Sequence, residues 1–148
     1  MKKKDKLILR LANISDSKLL FNWVNEKEVR NNSLKSEIVK WDIHSDWFCK
    51  KLESVKCKIF ILENNKDSLG QVRIEEDETG SWLIDYSIDS AFRTKGHGSV
   101  IIEQLINKNR GLSFKAVVKM ENEASKRVFE KLNFVSKQME NVIEYRLG

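Results

Sequence analysis

Arg93-Thr94-Lys95-Gly96-His97-Gly98-Ser99 lies between two different residue patterns, and the change of pattern across it decides the architecture. Before it, Trp82, Ile84, Tyr86 and Ile88 alternate with other residues, the period of a strand with one buried face. After it, Val100, Ile101, Ile102, Leu105 and Ile106 recur at helical spacing until Gly111 stops the run. Two glycines in a strand-to-helix turn let successive N–H groups face one concavity, and the positive end of the following helix points there too, which suits a phosphate. Arg93 and Lys95 add positive charge. The stretch is neither a Walker loop, since no Lys-Ser/Thr follows the second glycine, nor G-x-G-x-x-G, since Ile101 fills the third place. Taken alone, it reads equally well as a purely structural turn.

Working outward, residues 7–11 read as a strand, and Ser15 is placed to cap a helix bearing Leu19, Leu20, Trp23 and Val24 that ends near Asn25. The polar stretch 26–40 leads to a second amphipathic helix, 42–53, with Ile43, Trp47, Phe48 and Leu52 on one face and His44 on the other. Strands 57–62, 69–74 and 82–88 form an expected antiparallel meander. Beyond the glycine segment come a strand at 114–118, a helix from Asn122 that buries Ala124, Val128, Phe129 and Leu132, and a terminal pair at 134–138 and 142–147. The layout is βααβββαβαββ, an α/β (α+β) class chain with one mixed sheet and helices on both faces.

The 148 residues, 41% of them apolar and including four tryptophans, fit one domain with its own core, preceded by a basic tail at 1–6. Of the net charge of +5, Lys2, Lys3, Lys4 and Lys6 against Asp5 supply +3, so no large cationic face is expected and no nucleic-acid partner. No run approaches the roughly 18 apolar residues of a membrane span and the start has no signal-peptide pattern, so no membrane partner and a cytoplasmic protein are expected. Cys49 and Cys57 form no C-x-x-C pair, with only two histidines beside them; both read as buried thiols, and no metal is expected.

A second segment lies one strand after the first helix: Asn122-Glu123-Ala124-Ser125-Lys126-Arg127-Val128-Phe129-Glu130-Lys131-Leu132-Asn133-Phe134. With Arg93, Gly96 and Gly98 supplying R/Q-x-x-G-x-G/A, it resembles the second signature of the GNAT N-acetyltransferase family, N-x-x-A/S-x-x-x-Y/F-x-x-x-G-F. Order and spacing agree, and the resemblance extends over the whole chain. It implies a sheet splayed between its fourth and fifth strands, and direct acetyl transfer from acetyl-CoA, as cosubstrate, to an amine. The pyrophosphate would sit on the amides of Arg93, Thr94, Lys95, Gly96, His97, Gly98 and Ser99. The pantetheine arm would pair with the backbone of Tyr86, Ser87 and Ile88 and meet Asn122, Ser125 and Phe129. Two residues depart from the pattern: Phe129 replaces the tyrosine that commonly protonates the leaving thiolate, and Asn133 replaces a glycine, a tolerable change at a left-handed helix end. Water, Ser125, Tyr86 or Tyr145 is left as the acid. The glutamate that many relatives use as base falls at Trp82, leaving Asp85 or Glu75 for that role.

The resemblance assigns acceptor choice to the region of the first two expected helices, where Trp23, Asn25, Val29, Arg30 and Ser33, then His44, Trp47 and Phe48, resemble acetyltransferases of nucleotide-linked amino sugars, of the pseudaminic-acid and flagellin-modification type. The resemblance implies that Arg30, Asn31 and Asn32 hold a diphosphate or sugar hydroxyls, with Trp23, Asn25, His44 and Trp47 also at the substrate. The expected partner is thus a small-molecule acceptor amine, met by a monomer or homodimer. A protein N-terminal or lysine acetyltransferase, and a non-catalytic acyl-CoA-binding domain, stand as alternatives.

Overall fold

Three successive runs rich in β-branched and aromatic residues, joined by short polar turns, zip into the expected meander in the computed structural model, which describes residues 6–148. They are β2 (Cys57–Glu63), β3 (Ser68–Glu76) and β4 (Ser81–Ile88), each antiparallel to the next, with β1 (Ile8–Leu11) added antiparallel to β2. Beyond β4 lie β5 (Ser113–Lys119), β7 (Val142–Leu147) and β6 (Val135–Gln138), giving one seven-stranded sheet in the order β1-β2-β3-β4-β5-β7-β6. Residues 1–5 of the basic tail lie outside the described residues.

Alternation along the strands sends side chains to two separate cores. Phe60, Leu62, Val72, Ile74, Trp82 and Ile84 point to the face covered by α4 (His97–Lys108) and α5 (Glu123–Lys131), where they meet Ile101, Ile102, Leu105, Val128 and Phe129. Cys57, Ile59 and Ile61 point to the opposite face and pack under α1 (Ser17–Val24) and α3 (Trp41–Glu53), against Leu20, Trp23 and Phe48.

The splay is real and short-sighted pairing makes it. β4 and β5 are parallel and paired only through Ser81–Leu83 with Ser113–Lys115, after which β5 follows β7 and β4 follows β3. The far half of β4, from Ile84 onward, therefore offers one unpaired backbone edge to a wedge-shaped gap.

Four local expectations are corrected. Asn13, not Ser15, starts the first helical segment: its side chain accepts from Ser15 N–H while Asp16 reaches back to Asn13 N–H, a capping box around a single 3-10 turn. The stretch 26–40 contains an additional short helix, α2 (Lys27–Asn32), so the order is βαααβββαβαββ. Ala124 is exposed on α5, and Cys49 is exposed on α3 while Cys57 is buried. Asn133 takes φ +65, and Phe134 N–H bonds to Phe129 O while Asn133 N–H bonds to Glu130 O, the paired closure of a left-handed helix end. No described helix is long and apolar enough to cross a membrane.

Candidate active site

The glycine segment folds as a left-handed kink followed by an open helix end. Thr94 (φ +64) and Gly96 (φ +83) take positive φ, and Gly96 becomes the N-cap residue of α4 with no side chain capping the turn. Val100 N–H reaches back to Gly96 O at 3.4 Å, so the N–H groups of His97, Gly98 and Ser99 point out of the helix end with the positive pole of its dipole. Gly98 is helical, and its lack of a side chain serves packing: a Cβ there would stand 3.1 Å from Val128 Cγ2 and 3.5 Å from Tyr86 Cε2. His97 Nδ1 lies 2.9 Å from Phe92 O and ties the loop to the 3-10 turn Ser90–Phe92.

The charge at this loop differs from the sequence expectation. Arg93 does not face outward as a free cation: its Nε donates to Ile88 O (3.0 Å) and its two terminal nitrogens pair with Glu26 and with Glu28 (2.6 Å to the latter) at the start of α2. Its charge is largely neutralised, and the same guanidinium holds the Glu26 carboxyl below the ordinary carboxylate range. Lys95 is exposed.

Across the wedge, the Asn122 side chain caps α5, its Oδ1 accepting from Ser125 N–H at 3.2 Å, and the Ser125 hydroxyl meets the Tyr86 hydroxyl at 2.9 Å. Phe129 is a correction. Only 1% exposed, it is locked among the rings of Phe134 (5.0 Å between centroids), Tyr145 (5.4 Å) and Tyr86 (6.0 Å), so it is a core residue and not a wall for a ligand. Tyr145 is equally unavailable: buried, it donates its hydroxyl to Glu130 at 3.1 Å, and burial with the Glu130 carboxylate pushes its pKa up to about 12.

On the opposite face, β3 and β4 bring Gln71, Arg73, Glu75, Asp85 and Ser87 side by side as a polar strip, because Gln71 pairs with Ser87 and Arg73 with Asp85 across the strands. Gln71 Nε2 donates to Ser87 Oγ (3.2 Å), and Arg73 lies over the ring of half-buried Trp47 at 4.9 Å. Glu75 is occupied by Lys51 (3.0 Å) and Arg73 (3.1 Å), whereas Asp85 has only Arg73 at 3.8 Å and keeps 56% of its side chain exposed. Of the two carboxylates, Asp85 has the looser ion pair and the more exposed side chain.

Beside this strip, a cavity of about 280 Å³ opens between α1 and α2 and the end of β4, lined among others by Trp23, Glu26, Val29, Ser87, Asp89 and Arg93. Of the residues expected to meet substrate Trp23 lines it, and several of the others are engaged within the protein. Buried Trp23 gives its indole N–H to Asp89 (2.7 Å). Asn25 exchanges both ends of its amide with Val39, at 2.7 Å each. Arg30, expected on a diphosphate, donates to the carbonyls of Val24 (2.6 Å), Lys35 (3.0 Å) and Glu37 (3.0 Å) and to Ser33 Oγ (3.2 Å), which fixes the irregular segment after α2. Asn31 contributes its carbonyl to Lys119 Nζ (2.9 Å), a bridge from α2 to β5 over the gap, and Asn32 is exposed. His44 fits neither earlier reading: 4% exposed, it is boxed by the rings of Phe21, Trp41, Trp47 and Phe48, its Nδ1 has no partner, and burial pushes its pKa down. Asp89 and Glu26 were not singled out from sequence; each is an ordinary carboxylate beside a turn, recognisable only once Trp23 and Arg93 are seen to reach them.

The family model described as an acetyltransferase (GNAT) domain matches residues 6–135. The chain belongs to the GNAT acetyltransferase family. It is accordingly an acetyltransferase, for which acetyl-CoA is the expected cosubstrate. Among solved structures, a Vibrio cholerae spermidine N-acetyltransferase in complex with CoA and spermine aligns at TM-score 0.86 and 17% identity, over 95% of this chain and 94% of that one. A ribosomal-protein alpha-N-acetyltransferase in complex with coenzyme A aligns at 0.81 and 17%, over 95% and 93%. A Salmonella typhimurium protein with its cofactor acetyl-CoA aligns at 0.79 and 16%, over 95% and 92%. No curated protein matches by sequence.

The residues present suit that cosubstrate. An uncapped helix end takes a pyrophosphate, and an unpaired strand edge takes an amide-bearing arm. Among the described residues no cluster of three His, Cys, Asp or Glu could hold a metal ion.

Proposed function

We propose that this GNAT acetyltransferase acetylates the primary amine of a small amino sugar. The observation that carries the reading is the strip Gln71, Arg73, Glu75, Asp85 and Ser87 beneath Trp47: neutral hydrogen-bonding groups and both signs of charge lie beside an aromatic ring, which suits a polyhydroxylated amine better than a uniformly cationic chain. The nucleotide-linked form of that acceptor loses its first support, since the donors of Arg30 are spent on the protein itself.

In this reading His97, Gly98 and Ser99 hold the pyrophosphate with their N–H groups, assisted by Lys95. The open edge of Tyr86, Ser87 and Ile88 aligns the arm that carries the thioester. Bound acetyl-CoA supplies an activated acyl carbon; the chain supplies orientation and proton handling. Asp85 takes the proton that an incoming ammonium must lose before its nitrogen can attack, directly or through water.

A second reading, a polyamine or a peptide amine, is favoured by Glu26 and Asp89 on the cavity wall and by the fold-level likeness to a spermidine and to a ribosomal-protein acetyltransferase. Arg93 and Trp23 already engage those carboxylates, which weakens their pull on a polycation.

The test is acetyl-CoA-dependent thiol release with free amino sugars, nucleotide-linked amino sugars, spermidine and short peptides as acceptors. The expected result is the highest kcat/KM with an amino sugar. Preference for spermidine or a peptide over every sugar overturns the acceptor assignment, and tight acetyl-CoA binding with no turnover on any amine favours the non-catalytic alternative.

A further inference from the structure

The position that commonly carries the acid of this reaction is filled by the Phe129 ring, which has no proton to give, yet a phenol stands beside it. Tyr86 reaches from β4 into the same aromatic cluster, its ring at 6.0 Å and 81° to that of Phe129, and its hydroxyl lies 2.9 Å from Ser125 Oγ in the first turn of α5. Gly98 lies directly against it: a Cβ at that residue would stand 3.5 Å from Tyr86 Cε2 and 3.7 Å from the Tyr86 oxygen, ordinary contact distances. The phenol is therefore held where three features converge, namely the open first turn of α4, the first turn of α5 and the unpaired far half of β4. Two helix N-termini directed at one place favour negative charge there. Neither helix is short, at 12 and 9 residues.

We propose that Tyr86 is the general acid of the acetyl transfer, taking from β4 the role that a tyrosine at position 129 would play from α5, with Ser125 as its positioning residue. The inference rests on the acetyltransferase reading and adds the proton donor that reading lacks. In the balanced reaction the amine nitrogen forms its bond to the acyl carbon and loses a proton. The carbon–sulfur bond breaks, and the sulfur leaves with the electron pair. Tyr86 gives its hydroxyl proton to that sulfur and recovers one from water, into which the amine's proton has passed by way of Asp85. A phenol suits the task better than a serine hydroxyl, because its acidity is far closer to that of a thiol. Of the two tyrosines Tyr86 alone qualifies, since Tyr145 is tied to Glu130. Burial raises the Tyr86 pKa and the Ser125 hydrogen bond lowers it, which keeps the proton in place until a thiolate forms nearby.

Tyr86→Phe removes one oxygen from a packed ring and should leave thermal unfolding nearly unchanged. It is expected to lower kcat by about 100-fold or more, the ordinary contribution of general acid catalysis, with the KM for acetyl-CoA within about twofold, since ring hydroxyl and arm-binding backbone are separate groups. Ser125→Ala should lower kcat less, and Ser125→Thr should restore most of that loss. A binding experiment without turnover gives the independent reading. At pH 9 the wild type should bind coenzyme A more tightly than dethio-coenzyme A, because Tyr86 donates to the thiolate, and Tyr86→Phe should erase that preference. A Tyr86→Phe enzyme with at least half the wild-type kcat, or an unchanged preference for coenzyme A over dethio-coenzyme A, overturns the assignment. A wild type that binds no acetyl-CoA overturns the acetyltransferase reading itself, a result distinct from either.

Discussion

At the start of α5, Asn122 spends one hydrogen bond on Ser125 N–H, and α4 begins with no cap at all; across the sheet, Asn25 spends both ends of its amide on Val39, and Arg30 spends its guanidinium on three carbonyls and a hydroxyl. The same residue types leave polar groups free on one side of the wedge and consume them on the other. The cause lies in the backbone. A helix N-terminus has donors to spare by construction, whereas residues 33–40 form no helix or strand, so their carbonyls need side-chain donors brought from elsewhere. In the proposed reading the cofactor side is thus built from main chain and the acceptor side from side chains that first have to hold their own loop.

The largest expected effect tests the first half of that contrast. Gly98→Val adds methyl groups beyond a Cβ already 3.1 Å from Val128 Cγ2, so the first turn of α4 has to move off α5 and Tyr86. Acetyl-CoA affinity by calorimetry should fall at least about 100-fold, roughly 2.7 kcal/mol, with the far-ultraviolet circular dichroism retained. Affinity within threefold of wild type would remove the α4 end from the cofactor site.

Arg30→Ala tests the second half. If Arg30 is a strut for residues 33–40, its loss should lower stability by about 2 kcal/mol without any substrate present, read as a shift of the urea midpoint, and Arg30→Lys should recover little because an ammonium cannot span four acceptors in a planar fork. A direct substrate contact would instead raise the acceptor KM while leaving the urea midpoint unmoved.

The contrast also explains which parts were legible in the sequence. The seven strands follow from periodicity and turn residues, which are local, while the splay between β4 and β5 and the left-handed Asn133 were implied by the family resemblance and not by the strands themselves. Gly96 and Gly98 were readable as a pair, although one supplies a positive φ and the other an absence of bulk. What escaped were choices of partner between distant residues. Nothing local says that Arg93 turns back to Glu26 and Glu28, that Arg30 serves carbonyls in place of phosphates, or that His44 faces inward among four aromatic rings. A cation or an imidazole in an amphipathic pattern has two reasonable destinations, and tertiary packing selects between them.

His44 supplies a smaller effect whose sign is fixed by linkage. Burial foremost, and then the charge of Arg73, depress its folded pKa below the ordinary 6.5, so below that pH the unfolded chain binds more protons and stability falls as pH falls. The limiting slope is about 1.4 kcal/mol per pH unit. His44→Phe removes both the titration and the unpartnered Nδ1. It should add about 1 kcal/mol at pH 7.5 and flatten the loss between pH 6.5 and 5.5, measured by urea unfolding at several pH values. An unchanged slope would mean that His44 reaches solvent in its protonated form at little cost.

The smallest effect sharpens the boundary between the two sides, because Arg93 belongs to the cofactor loop yet is held by the acceptor-side glutamates. Replacing Glu26 by Gln keeps the shape of the side chain and one acceptor oxygen for Arg93, while removing one of the two charges that neutralise the guanidinium. Arg93 Nε stays on Ile88 O, so the arginine keeps its place and regains positive potential toward the helix end. Acetyl-CoA should then bind about two- to threefold more tightly at low salt, near 0.5 kcal/mol, as expected of a partly exposed ion pair. The gain should disappear in 0.5 M salt, where charges more than a few ångströms apart are screened. If Glu26→Gln instead weakens acetyl-CoA at both salt concentrations, the glutamate acts as an anchor that orients Arg93 for the cofactor, and the two sides of the wedge are joined through this pair rather than merely adjacent at it.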